Sequence, residues 1–188
     1  SENFPTKAPV SLYGASKLAS ESLALEYGQS FGFPVWVNRC GVMAGAGQFG
    51  RADQGIFSFW VHSFRERQAL RYVGFGGKGW QVRDCLHPED LAELIMCQFA
   101  QSHAAVETRV LNVAGGIDNA MSLAELTQWC SQRFETMAIS SEEQGRSFDL
   151  PWVVLDSSRA EKTLGWKRKW VLKDILEEIA EFAIKHPQ

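Results

Sequence analysis

The sequence predicts an α/β fold, in which buried parallel strands alternate with amphipathic helices. The run at 35–43 is largely apolar and β-branched, which is typical of a strand covered on both faces of a sheet. The segments 56–68 and 171–185 carry apolar residues at helical spacing on one side. The chain has 188 residues, of which 45% are hydrophobic, so it can build one substantial core or a larger and a smaller lobe.

The first elements follow from local signals. A helix over 13–30 begins after Ser11, whose hydroxyl can cap it, and stops at the Gly-Phe-Pro sequence at 32–34. The strand at 35–43 leads into the loop 44–55, in which glycine occupies four of twelve positions. Loops at the carboxyl ends of parallel strands commonly hold ligand sites, although an ordinary surface loop can have the same composition.

The later segments alternate between strand and helix signals. In the helix at 56–68, a stripe of Phe57, Trp60, Val61 and Phe64 is interpreted as core. The elements up to 113 are a strand at 70–73, a glycine-rich turn at 74–79, a strand at 80–87, a helix at 88–102 and a strand at 109–113. The elements after it are a helix over 122–134 opened by a capping box, a weaker strand at 135–141, a polar loop at 142–151, a helix ending at 164 and a last helix at 171–185.

Composition excludes several classes of function. The net charge of −3 and the pI near 5.8 provide no overall basic field for nucleic acid. No apolar run reaches the length of a membrane span, so we expect a soluble, cytoplasmic protein without a membrane partner. The scattered cysteines are expected to be buried free thiols, and neither they nor the four histidines suggest a metal site.

One pair of residues has the spacing of an acid/base site. Tyr13 and Lys17 are four residues apart, which places both on one face of the first helix. An ammonium beside a phenol favours the phenolate, so the pair could act as a general acid/base near neutral pH. The spacing alone also occurs in many amphipathic helices.

The wider sequence around this pair is more specific. Tyr-Gly-x-Ser-Lys-x-x-x-Glu, from Tyr13 to Glu21 with Pro9 before it, resembles the catalytic helix of the extended short-chain dehydrogenase/reductases. Four further stretches resemble that superfamily of nucleotide-sugar epimerases and dehydratases. They are Asn-Arg-Cys-Gly-Val-Met-Ala-Gly at 38–45, Gly-Gln-Phe-Gly with Asp-Gln-Gly at 47–55, Gln-Val-Arg-Asp-Cys-Leu-His-Pro-Glu-Asp-Leu at 81–91 and Asp-Ser-Ser-Arg-Ala-Glu-Lys-Thr-Leu-Gly-Trp at 156–166. The second of them is similar to the branch that includes the CDP-paratose 2-epimerases.

The resemblance implies an NAD-dependent redox change on a sugar that is attached to a nucleoside diphosphate, with NADP the less expected cofactor. Tyr13 would take a proton from a sugar hydroxyl. Lys17 would hold the nicotinamide ribose, and Cys40 belongs to the strand that reaches the nicotinamide. In an epimerase, the keto intermediate turns over and receives the hydride on its other face.

The resemblance also implies a set of substrate contacts. Arg83 and Arg146 would bind the diphosphate, because guanidinium groups bind phosphate with charge-assisted, often bidentate bonds. Asp149 would take the nucleotide ribose, Gln54 the sugar or the edge of the base, and Val73, together with Tyr72, would line the base pocket. Two simpler interpretations stay open at this point. Arg83 could pair with Asp84 or Asp90, and Arg146 could be a solvated loop charge. His87 is interpreted as a helix cap or a packed histidine.

The glycine-rich turn and the catalytic Ser/Thr of the family have no counterpart in this sequence. We therefore expect the chain to correspond to the C-terminal portion of such an enzyme. The last part of a Rossmann-type, doubly wound parallel sheet would lie mainly in 1–45 and 80–115. A small α/β substrate-binding lobe would lie mainly in 46–79 and 116–188. Alone, this portion is expected to be inactive, and the longer protein is expected to be a homodimer.

Three functional hypotheses follow. The first is an NAD-dependent nucleotide-sugar epimerase, and the second is a 4,6-dehydratase or reductase of the same superfamily. The third is a non-catalytic module that binds nucleotide sugars or serves only as a scaffold.

Overall fold

The computed structural model describes residues 1–7, 10–48, 50–51, 54–101 and 109–187. Strands and helices alternate through most of the chain, as expected for an α/β fold. The strands are β1 Val37–Cys40, β2 Val42–Met43, β3 Leu70–Val73, β4 Val82–Leu86, β5 Val110–Val113, β6 Ala120–Ser122, β7 Ile139–Glu142 and β8 Trp152–Val153. The helices are α1 Leu12–Phe31, α2 Ile56–Glu66, α3 Pro88–Phe99, α4 Leu123–Arg133, α5 Ser158–Leu164 and α6 Leu172–Lys185.

Most strand pairs are parallel. β1 pairs with β5, and β3 pairs with β7. β4 pairs with both β2 and β8. All of these pairs are parallel. The exception is β6, which pairs antiparallel with β4. No local signal marked β6, because it is only three residues long and immediately precedes the capping box of α4.

The predicted strand at 35–43 is two strands, β1 and β2, which pair with different neighbours. The chain changes partner at Gly41, whose N–H donates to the Val113 carbonyl at 2.9 Å. A Cβ atom at position 41 would lie 2.5 Å from Asp84 Oδ1, so only glycine fits there without displacement. An apolar run cannot reveal such a break, since both halves have the composition of a buried strand.

The larger core lies between α2, α4 and α6. The predicted stripe is confirmed, because Phe57, Trp60, Val61 and Phe64 are all buried there. Trp60 also stacks on Tyr72 at 5.9 Å, and both Trp60 Nε1 and the Tyr72 hydroxyl donate to Thr127 Oγ1. Tyr72, which the resemblance placed at a base pocket, thus has a packing role in the structure. Its ring and its hydroxyl belong to the packing between β3 and α4.

A smaller core lies between β5, α3 and α5, and Trp166 closes it, donating its indole N–H to the Asp90 carbonyl at 2.9 Å. The thiols of Cys85 and Cys130 are buried and those of Cys40 and Cys97 half-buried, and all four are free, as expected. Burial raises the pKa of both Cys85 and Cys130 above the ordinary thiol value. Among the helices that the structure describes, none is long and apolar enough to span a membrane.

The start of α4 provides a direct test of a local sequence signal. Glu125 N–H donates to Ser122 Oγ at 3.2 Å, and Ser122 N–H donates to the Glu125 carboxylate at 2.6 Å. Ser122→Ala is expected to lower the free energy of unfolding by about 1 kcal/mol, because it leaves a helix N–H without its acceptor. The measurement is urea unfolding at neutral pH. Ser131→Ala, nearer the other end of α4, is the control and is expected to change stability by less than about 0.5 kcal/mol. Equal losses in the two variants would contradict the capping role.

Candidate functional site

A cleft of about 510 Å³ lies between α2, β3 and β4, and it is the place where the predicted substrate residues meet. These residues come from four separate segments of the chain, and each of them lines the cleft. They are Gln54, Val73, Arg83, Arg146 and Asp149.

Arg83 and Asp149 form an ion pair in the wall of this cleft. Arg83 Nη2 lies 2.7 Å from Asp149 Oδ1, and Nη1 donates to the Val82 carbonyl at 2.7 Å. The side chains are only 20% and 25% exposed, so the guanidinium is held in place rather than solvated. The simpler interpretation, a pair with Asp84 or Asp90, is not what the structure has, because those carboxylates accept backbone N–H groups instead.

The turn that carries Arg146 and Asp149 follows β7, and the pairing of β7 with β3 brings it to the cleft. Asp149 N–H donates to the Arg146 carbonyl at 3.3 Å, and Asp149 Oδ1 accepts the N–H of Leu150 at 2.9 Å. Between them, Phe148 has a φ of 63°, a conformation that is strained for a residue other than glycine. The turn therefore fixes the backbone at both cleft residues, of which Asp149 is half-buried and Arg146 exposed.

The sequence analysis missed three polar residues of the cleft. Arg51, Arg71 and Gln81 also line it, and Arg71 pairs with Glu142 at 2.7 Å. The alternation of side chains along a strand could have found two of them. Residues two apart share a face, so Arg71 accompanies Val73 and Gln81 accompanies Arg83. Arg51 lies in the glycine-rich loop, where no periodicity applies.

The described part of the cleft carries more positive than negative charge. Its described lining includes four arginines and one carboxylate, that of Asp149. The whole chain, by contrast, has a net charge of −3. A concave site with a local excess of positive charge attracts an anionic ligand.

Tyr13 and Lys17 lie on α1 and do not line this cleft. Lys17 Nζ is 5.4 Å from the centre of the Tyr13 ring, so the two side chains share one helix face as expected. Tyr13 is 71% exposed, which leaves its hydroxyl accessible to a ligand. Ser11 caps the helix, accepting the Gly14 N–H at 2.9 Å.

The strand β1 is tied to this helix. Arg39 donates Nη2 and Nε to the two carboxylate oxygens of Glu21, at 2.6 and 2.9 Å. Glu21 is the last residue of the Tyr-Gly-x-Ser-Lys-x-x-x-Glu motif. Its pairing with Arg39 gives this position of the motif a structural role. The half-buried thiol of Cys40 ends β1, and burial raises its pKa above the ordinary thiol value.

His87 is the helix cap that the sequence suggested. Its Nδ1 accepts the Glu89 N–H at 3.2 Å, so the ring proton is on Nε2, which donates to Glu178 at 3.0 Å. The ring stacks on Trp170 at 3.8 Å. Glu178 also accepts the Ala46 N–H at 3.0 Å, which fixes the glycine-rich loop to α6.

Residues 1–114 match the model of the NAD dependent epimerase/dehydratase family, which is more than half of the chain. The chain belongs to this family. Its members include a CDP-paratose 2-epimerase of Salmonella typhi, which is 30% identical over 90% of this chain. The chain spans about half the length of that relative, 51% of it.

Solved structures that share the fold confirm the Rossmann-type α/β architecture. The UDP-glucose 4-epimerase of Thermus thermophilus, solved with NAD, matches 98% of this chain with a TM-score of 0.82 and 21% identity. A dTDP-glucose 4,6-dehydratase of Bacillus anthracis, also solved with NAD, matches 100% of it with a TM-score of 0.78 and 22% identity. The chain covers 57% and 56% of these two structures. Identities this low show the fold but do not distinguish an epimerase from a dehydratase.

Within the described residues, no group of three or more His, Cys, Asp or Glu side chains could hold a metal ion. The groups that the cleft offers to a ligand are its guanidinium groups, the Asp149 carboxylate and its amides, and α1 offers a phenol and an ammonium.

Proposed function

We propose that this chain is the substrate-binding portion of an NAD-dependent nucleotide-sugar epimerase. The observation that carries the proposal is the cleft, which gathers Gln54, Val73, Arg83, Arg146 and Asp149 from separate segments. Family membership supports it, as does the 30% identity to a CDP-paratose 2-epimerase over most of the chain.

In this proposal the cleft binds a nucleoside diphosphate sugar. Arg83 and Arg146 bind the diphosphate, because two guanidinium groups in a partly buried cleft offer charge-assisted hydrogen bonds to its oxygens. Asp149 already orients Arg83 across 2.7 Å, so the arginine needs little reorganisation when a ligand arrives. Asp149 also offers an acceptor to the ribose, while Gln54 contacts the sugar or the base and Val73 packs against the base.

The proton transfer is assigned to α1. Tyr13 takes the proton from a sugar hydroxyl, and Lys17, which lies beside the Tyr13 ring on the same helix face, holds the nicotinamide ribose. The exposure of the Tyr13 hydroxyl suits a ligand that approaches from outside this chain. Cys40, at the end of β1, lies near the nicotinamide in this assignment. NAD, when bound, supplies the hydride acceptor.

Two alternatives belong to the same proposal. A 4,6-dehydratase or a reductase would use the same cleft, and a dehydratase is among the structures that share the fold. A non-catalytic module would either bind nucleotide sugars in the same cleft or serve only as a scaffold, and only the scaffold would show no saturable binding. We also propose that the chain alone is inactive, and that the longer protein is a homodimer.

Substitution of Arg83 tests the proposed binding site. The intact chain is expected to bind CDP- and UDP-sugars saturably in calorimetric titration. Arg83→Ala is expected to weaken binding by roughly 10- to 100-fold, because it removes a charge-assisted contact to the diphosphate. Arg67→Ala is the control, since the Arg67 guanidinium pairs with Glu135 at an exposed site outside the cleft lining.

Binding to the control variant should equal that of the wild type. Absence of saturable binding by the wild-type chain would contradict the proposal and favour a scaffold role. Equal affinities for the wild type and Arg83→Ala would contradict the assignment of the diphosphate to Arg83.

A further inference from the structure

Gln81 has an unused hydrogen-bond acceptor in the wall of the cleft. Its Oε1 atom is buried and has no hydrogen-bond partner among the residues that the structure describes. Buried polar atoms in folded proteins almost always have a partner, so each exception calls for an explanation. Gln81 also lines the cleft itself. A ligand in the cleft can therefore supply the missing donor.

Backbone hydrogen bonds hold the main chain at Gln81 in place, and burial of Oε1 confines the side chain. The Gln81 carbonyl accepts the Leu123 N–H at the start of α4 at 3.1 Å, and the neighbouring Val82 N–H donates to the Pro151 carbonyl at 2.8 Å. Gln81 immediately precedes β4 and stands two residues before Arg83, so the two side chains leave the same face of the strand. Fixed groups of this kind bind without a large loss of conformational entropy.

Strand register indicates which part of a ligand reaches Gln81. β2 pairs with β4 at Val42↔Cys85, so the loop that begins at Ala44 lies toward the carboxyl end of β4. Gln81 lies on the amino-terminal side of Arg83, away from that loop, about 7 Å along the strand. On that side β8 joins β4, soon after the turn that carries Arg146 and Asp149. A diphosphate on Arg83, with its sugar toward β2, places its nucleoside near Gln81.

We propose that Gln81 is a specificity-determining residue whose side-chain oxygen accepts a hydrogen bond from the nucleoside half of the bound nucleotide sugar. This inference rests on the proposed function. The chemistry required of the ligand is an O–H or N–H donor, which a ribonucleoside supplies from its 2′- or 3′-hydroxyl, cytosine from its amino group and uracil from its N3–H. A site built around such an acceptor discriminates against a ligand that lacks the donor.

A single trapped water is the competing explanation. Gln81 also lines a void of about 20 Å³, together with Leu126, which is large enough for one water molecule. In that case the amide would be structural. An apolar residue of the same length would then fill the void without affecting ligand binding.

Calorimetric titration with CDP, UDP, 2′-deoxy-CDP and inorganic pyrophosphate distinguishes the two explanations. Gln81→Met is expected to bind CDP about tenfold more weakly than the wild type, and pyrophosphate equally well. A loss for CDP and UDP but not for 2′-deoxy-CDP identifies the 2′-hydroxyl as the donor, and an equal loss for all three identifies a donor that they share, such as the 3′-hydroxyl. A loss for CDP and 2′-deoxy-CDP but not for UDP identifies the cytosine amino group.

The controls keep the outcomes separate. Gln128→Met, on the exposed face of α4, should bind all four ligands as the wild type does. The wild type is expected to bind CDP more tightly than pyrophosphate, and Gln81→Glu, which keeps an acceptor oxygen, should keep that preference. This variant tests the inference even if Gln81→Met does not fold. Unchanged CDP affinity in Gln81→Met overturns the inference alone, provided that Arg83→Ala still weakens binding. A wild-type chain that binds none of the ligands overturns the proposed function and this inference together.

Discussion

Gly115→Ala is expected to destabilise the folded chain by about 3 kcal/mol or more, which is a large effect for the addition of one methyl group. A Cβ atom at position 115 would lie 2.0 Å from the Cys85 carbonyl oxygen and 2.7 Å from Asn119 Cβ. Neither neighbour can move away without a substantial energetic cost. The Cys85 carbonyl belongs to β4, and it accepts the Asn119 side-chain N–H at 3.3 Å. Urea unfolding followed by tryptophan fluorescence measures the loss.

Gly145→Ala is the matched control for this prediction. The nearest atom to a Cβ there, Gly74 Cα, is 3.6 Å away, which is an ordinary van der Waals contact. The control is expected to change stability by less than about 0.5 kcal/mol, as for most surface substitutions. Similar losses at both positions would mean that the loop after β5 adapts to added volume, and that the close approach to β4 is not a constraint.

Local signals were sufficient for most of the fold. The apolar stripe of α2 predicted a core helix, and the capping box at Ser122 and Glu125 predicted the start of α4. In each case the signal and the structure depend on the same few neighbouring residues. Parallel pairing followed from composition, since strands covered on both faces are apolar along their whole length.

Features set by distant parts of the chain were missed. The break at Gly41 depends on the approach of Asp84, and the packing of Tyr72 depends on Trp60 and Thr127. The same limit applies to the cleft. The resemblance led to Arg83 and Asp149 separately, but their ion pair joins residues 66 apart in sequence. Such contacts can be seen only when the strands and the turn are placed in space.

The second large effect is expected at Asp84, next to Arg83 on β4. The Asp84 side chain is buried, and its Oδ2 accepts the N–H groups of Leu155 and Gly116 at 2.9 and 3.3 Å. Asp84→Ala removes the acceptor for both, and two buried N–H groups without partners destabilise a fold by about 2–5 kcal/mol. Asp84→Asn keeps the shape and one acceptor oxygen, so a smaller loss of about 1–2 kcal/mol is expected.

The loss of folding stability in Asp84→Asn is expected to depend on pH. The burial of the carboxylate determines whether this loss grows or shrinks as the pH rises. Burial raises the pKa of Asp84 in the folded chain above its ordinary value, although the backbone hydrogen bonds oppose the rise. Between the unfolded pKa of about 3.9 and the raised folded pKa, the folded state binds more protons than the unfolded state, so stability falls as pH rises.

The stability advantage of the wild type over Asp84→Asn should therefore be largest below about pH 3.9 and shrink as the pH rises through the folded pKa of Asp84. The pKa of Asp90 is also raised by burial, but Asp90 is present in both proteins, so its contribution cancels in the difference. Urea unfolding of both proteins from about pH 3.5 to about pH 7 measures the difference. An advantage that grows with pH would show that the hydrogen bonds from Leu155 and Gly116 outweigh burial at this carboxylate. The charge of Asp84, rather than its shape alone, would then hold the loops that carry Gly116 and Leu155.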